Sequence, residues 1–184
     1  MKRPIRTFAV LGAAVGLALT TVQPASATNF GPKVADNKAH SFYYGRDLTS
    51  AQKSAFEFAR TKALAPTDMT TSVTNRYDPK VDVWTVGTFN PTGDQVRYYA
   101  WTTCVKRVTP GSDKCEQHAI VINRKKPHDN YKAVGCHEIG HSVGLHHLSG
   151  KNSDYSFANR SCERAQPDHL YYSKHDKNHI NGHY

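Results

Sequence analysis

The chain has 184 residues, with 24 Lys and Arg against 15 Asp and Glu, 11 His and a formal charge of +9. That length is enough for one domain. The basic residues are scattered in pieces such as Lys106-Arg107 and Arg124-Lys125-Lys126; this argues against a nucleic-acid partner, which would want a denser basic stripe.

The first 27 residues have the form of a signal peptide. Lys2, Arg3 and Arg6 precede an apolar run over 8–19, and Ala25-Ser26-Ala27 is a small-residue cleavage site. The apolar run is shorter than the roughly 20 residues a bilayer requires, and no second such stretch follows. The expectation is a leader over 1–27 and a secreted, extracellular domain over 28–184, a monomer with no membrane association once the leader is gone. Losing the leader removes three basic residues and no acidic one, so +9 becomes +6.

Residues 28–44 are polar with scattered Gly and Pro, and read as either a short propeptide or an ordered first segment. The stripe Ala55, Phe56, Ala59 and Ala63 predicts a helix over 50–64, capped by Thr49 or Ser50 and ended by Pro66. Alternation predicts strands over 81–89 and 95–105, separated by a turn at 90–94. A turn at 110–113 leads to a third, more buried strand over 118–123. A helix is expected over 130–144 and a loop over 149–167. Ser173 and Asp176 have the spacing of a capping box that opens a last short helix.

Four cysteines in a chain bound for an oxidising compartment predict disulfides. Of the three possible pairings, Cys104–Cys115 is favoured because it closes a short loop between two strands. That leaves Cys136–Cys162. Cys136 could instead bind metal, but it precedes His137 and points about a quarter-circle away from it on a helix.

Residues 137–147 read H-E-x-x-H-x-x-G-x-x-H. Chance would place these five fixed residues together in about 5 of 10⁵ chains of this composition. His137 and His141, four apart, share a helix face. Gly144 can adopt a left-handed backbone and turn the chain back so that His147 joins them. Three imidazoles leave one tetrahedral position open, as in catalytic rather than structural zinc sites. Glu138 stands beside the metal position as general base.

On this motif the chain resembles the metzincin metallopeptidases, and among them the small secreted enzymes of actinomycete bacteria that are matrixin-like or snapalysin-like. Snapalysin has Asp where this chain has His147. The resemblance implies an α+β zincin domain. Its twisted, mostly parallel sheet would carry an active-site helix and a C-terminal helix. It implies one catalytic Zn2+ on His137, His141 and His147, Glu138 as the catalytic base, and a protein or peptide substrate lying along an edge strand between Val96 and Asn123. Metzincins carry a Met-containing turn beneath the metal. This chain has no Met after Met69, and Glu163 of Ser161-Cys162-Glu163 stands where that Met would be expected.

Other readings stay open. A zinc-binding protein without peptidase activity and a zinc amidase acting on cell-wall peptides share the motif. His146 could compete with His147. His175, His179 and His183 recur at helical spacing and could hold a second metal, or form a solvated face. Tyr155, Tyr171 and Tyr172 could support an oxyanion. Asp154 and Asp168 could bind Ca2+, although no D-x-D-x-D-G loop supports this.

Overall fold

The computed structural model describes residues 33–147, 161–164 and 169–184. The expected leader, most of the 149–167 loop, Tyr155, Asp154 and Asp168 lie outside them.

Strand β1 (Val34–Ala35) is followed by β2 (Ala39–Tyr44) and helix α1 (Ser50–Phe58). Thr49 caps α1: its side chain accepts from the Gln52 N–H at 3.2 Å, and the Gln52 side chain accepts from the Thr49 N–H at 2.9 Å. The helix continues as a π-helical turn over Ala59–Leu64 and stops before Pro66. The expected stripe of Ala55, Phe56, Ala59 and Ala63 is buried throughout. Strand β3 (Thr70–Thr74) follows, then β4 (Val83–Thr88), β5 (Ala100–Arg107), β6 (Lys114–Asn123), α2 (Tyr131–Ser142) and α3 (Lys174–His183). Ser173 caps α3 through the expected box with Asp176.

Two details depart from the sequence reading and one agrees with the ordered alternative for the first segment. Residues 34–44 supply two strands, one of them inside the sheet, so this part of the N-terminal segment is integral to the domain. Strand β3 has no alternating apolar pattern to announce it. Gln95 to Arg97 belong to a 3-10 turn over Gly93–Arg97, where Thr92 and Gln95 form a capping box, so β5 begins only at Ala100.

The fold is α+β, with a six-stranded, mostly parallel sheet. Strand β2 pairs with β3 and β4, and β4 with β6, all parallel. Cys115 of β6 pairs with Ala35 of β1 on one edge and Arg107 of β5 on the other. Strand β5 is antiparallel to β6 and, among the described residues, pairs with no other strand, so it is an edge strand. One sheet face, with Phe42, Val83, Ile120 and Ile122, joins Phe56 of α1, Leu64 of the π-helical turn and Ile139 of α2 in a single core. Strand β4 alternates as a half-buried strand should: Val83 and Thr85 are buried, Trp84 and Val86 half-buried. This packing sets α2 against α1 and its π-helical turn, with β5 as its main strand neighbour.

Disulfides join Cys104 to Cys115, tying β5 to β6, and Cys136 to Cys162, tying α2 to the short turn Cys162–Arg164. In the chain-entropy account each contributes roughly 3 kcal/mol.

Candidate metal centre

Helix α2 is short of apolar periodicity because buried polar groups interrupt it. Asn130 caps its start, accepting from the Ala133 N–H at 3.3 Å. Its end is a Schellman turn. The Leu145 N–H donates to the Gly140 carbonyl at 2.9 Å and the Gly144 N–H to the His141 carbonyl at 3.1 Å. Gly144 has φ +93°, a left-handed conformation that side chains beyond glycine adopt at a cost. The chain therefore reverses where the motif predicts, and His147 comes back over the helix.

The reversal brings the Nε2 atoms of His137, His141 and His147 together, with separations of 2.9, 3.0 and 3.1 Å. His137 Nδ1–H donates to the Cys162 carbonyl at 2.9 Å, and His141 Nδ1–H to the Leu145 carbonyl at 2.7 Å. A carbonyl can only accept, so both rings carry their proton on Nδ1 and turn an Nε2 lone pair inward. Two lone pairs 3.1 Å apart cannot hydrogen-bond to each other, and His147 can donate to only one of them. The donor set thus fits one small cation, and orientation of ligand imidazoles through Nδ1–H bonds is the usual supporting shell of such sites. Burial holds His137 at about pKa 4 and His141 at about 3, in the neutral form a ligand needs.

His146 is exposed and does not join the cluster. Among the described residues this is the only group of three or more candidate ligands, so His175, His179 and His183 do not converge as a three-ligand site. The His175 and His179 rings do lie 4.5 Å apart, centroid to centroid.

Glu138 is buried, and burial pushes its carboxyl up to about 7. The Thr102 hydroxyl of β5 lies 2.7 Å from Glu138 Oε2 and 2.9 Å from the Glu138 carbonyl oxygen. No sequence signal pointed to Thr102, which sits 36 residues earlier. A cavity of about 230 Å³ opens beside Glu138, His137 and His147, with Tyr98, Tyr99, His128 and Val134 among its walls. Cys162, from the segment after the motif, also lines it.

Glu163 is 1% exposed. Its Oε2 lies 3.6 Å from His141 Nδ1 and 3.9 Å from His137 Nδ1, behind the two rings. Neither carboxyl oxygen has a hydrogen-bond partner among the described residues. Burial, then the nearby Asp176 and Glu138, hold this carboxyl well above the usual carboxylate range. Tyr172 is also buried, and its hydroxyl donates to the Cys136 carbonyl at 3.0 Å, committing it to the helix. Tyr171 is half exposed and packs against Phe58.

No protein-family model matches the chain, and no curated protein sequence does. Solved structures that are similar include high choriolytic enzyme 1, a hatching enzyme zinc-protease from Oryzias latipes (medaka fish). Identity there is 13% and the TM-score 0.44, with 86% of this chain and 96% of that chain covered. At that distance the likeness bears no functional weight, which falls on the residues of the site.

Proposed function

We propose that the protein is a secreted zinc-dependent endopeptidase of the metzincin type. The observation that carries the reading is the convergence of two inward-facing Nε2 lone pairs, with His147 as third donor and the buried Glu138 carboxyl at the same cavity. His137, His141 and His147 would hold the ion. Zinc bound by three neutral imidazoles supplies a Lewis acid for water and for the peptide carbonyl.

The remaining work belongs to the chain. Glu138, with a carboxyl near neutrality, takes a proton from the attacking water and passes it to the leaving amine nitrogen. Thr102 suits both states of that carboxyl. Its single hydroxyl proton goes to Oε2 when Glu138 is ionised; it can go to the Glu138 carbonyl when the protonated carboxyl donates to Thr102 instead. Edge strand β5 runs beside Glu138 with one side free of strand partners among the described residues, which suits an extended peptide pairing along it. The two disulfides agree with an exported protein acting outside the cell.

The test is Glu138→Gln in a peptide-hydrolysis assay, with zinc measured on the same sample. Retained zinc with a loss of roughly 10²–10⁴-fold in rate is the expected result. Chelation should abolish activity and added zinc restore it. Full activity of Glu138→Gln would end the mechanism. Stoichiometric zinc without hydrolysis of any peptide library would favour a binding protein, and activity confined to cell-wall peptides an amidase.

A further inference from the structure

Two cavities border the three histidines, and they hold different groups. One, of about 410 Å³, takes in Thr102, His118, His141 and His147. The other, of about 230 Å³, takes in Glu138 with His137 and His147. In the proposed reaction Glu138 passes its proton to the leaving amine, so the residue that bears this amine lies on the Glu138 side. The smaller cavity therefore receives the side chain of the residue after the cut. Its walls are largely apolar, with Tyr98, Tyr99, Ala133 and Val134 among them. Among the described residues Glu138 is the only acid that lines it, and that carboxyl is buried and engaged by Thr102. The other two ionisable groups on its wall away from the metal, His128 and Arg97, are donors. The Asn130 N–H donates to His128 Nδ1 at 2.9 Å. A backbone N–H can only donate, so the imidazole keeps its own proton on Nε2. The ring stands edge-on to Tyr99, 4.5 Å between centroids. The Lys126 ammonium sits 4.4 Å from the centroid of the same Tyr99 ring and donates to the Arg97 carbonyl. Arg97 has Asp94 at 4.0 Å, but these side chains are 79% and 81% exposed, and a pair so wet holds its partners weakly.

We infer that this cavity selects peptides whose residue after the cut carries a side-chain carboxylate, read by His128 and Arg97. The inference rests on the peptidase reading and gives it a substrate class, peptides cut before Glu or Asp. The apolar stem of such a side chain packs between the tyrosines and Val134. Its carboxylate accepts from His128 Nε2–H and pairs with the Arg97 guanidinium, and hydrogen bonds to an ionised acceptor are stronger than neutral ones. Lys126, held behind Tyr99, adds to the positive field at the same wall.

The test uses four peptide libraries, acetylated and amidated so that no terminal carboxylate competes. One position is fixed as Glu, Gln, Leu or Lys and the positions around it are randomised. For each library kcat/KM is measured for cleavage before the fixed residue, with the cut placed by mass spectrometry. Wild type should favour Glu over Gln about tenfold, the effect of one hydrogen bond to a charged group, and should favour Glu over Leu and Lys as well. The Glu-to-Gln ratio should shrink in high salt. Arg97→Gln and His128→Leu should each lower that ratio, which a simple loss of folded protein leaves unchanged. Arg97→Glu should put Lys ahead of Glu, a reversal that a merely structural role would not produce. A wild-type ratio within twofold, Leu cut faster than Glu, or a ratio that all three substitutions leave untouched would overturn the inference. A zinc-loaded wild type that cuts none of the libraries would instead overturn the peptidase reading, and this inference with it.

Discussion

Thr102 sets its single hydroxyl within reach of both Glu138 Oε2 and the Glu138 backbone carbonyl oxygen. The bond to Oε2 favours the carboxylate and works against burial, which pushes the Glu138 carboxyl up to about 7. Thr102→Val keeps the side-chain shape and removes that bond, so the carboxylate should form only at higher pH. A hydrogen bond to a charged group is worth about 1.5 kcal/mol or more, or about tenfold in rate. We expect Thr102→Val to retain zinc, to lose about tenfold in kcat/KM at neutral pH, and to move the acid limb of the pH profile upward. Thr102→Ser should stay near wild type. An unchanged rate and profile in the Val variant would make the contact incidental.

At the scale of elements, the helix that carries the site works because of how it ends. The Schellman turn at Gly144 converts a straight helix into one whose next residues return over its own last turn. Alanine at φ +93° costs roughly 1–2 kcal/mol, and relaxing that strain would swing His147 away from the other two imidazoles. Gly144→Ala should therefore lose both urea resistance in chelator and zinc affinity. Gly144→Asn, which tolerates the left-handed region better, should recover part of both. Zinc affinity that survives the alanine substitution would separate His147 from the turn. This turn was legible beforehand because the motif's spacing and its glycine are local facts. So were the stripe of α1, the alternation of β4 and the box at Ser173. Strand β3 was not, because Thr70–Thr74 is polar and becomes a strand only by pairing with β2. The close approach at Gly140 was equally hidden. A Cβ there would overlap Oε1 of Glu163, 23 positions away, and no local pattern links a helix glycine to a distant buried carboxyl.

Across the whole molecule, sheet and metal helix are joined by a polar contact inside the core. His40 of β2 donates from Nε2 to the Ser142 hydroxyl at 3.0 Å, and that hydroxyl donates to the Ile139 carbonyl at 2.7 Å. His118 of β6 stands near it, with ring centroids 6.4 Å apart, and edge-on contact with Phe42 completes the surroundings. Burial first, and His118 second, lower His40 to about 3; burial also lowers His118. The folded protein therefore keeps His40 neutral, whereas the unfolded chain protonates it below about 6.5. Between those two values the unfolded state binds the extra proton, so this contribution to stability is complete above pH 6.5 and is lost as pH falls towards 3. One proton corresponds to about 1.4 kcal/mol per pH unit, or about 2 kcal/mol between pH 6.5 and 5. Urea unfolding in chelator, where release of metal cannot contribute, should show wild-type stability falling over that interval. His40→Gln should be weaker at pH 7, having lost the imidazole packing, yet its stability should fall with a slope shallower by one proton. Equal slopes in the two proteins would mean that His40 is not the acid-sensitive joint between the sheet and the helix.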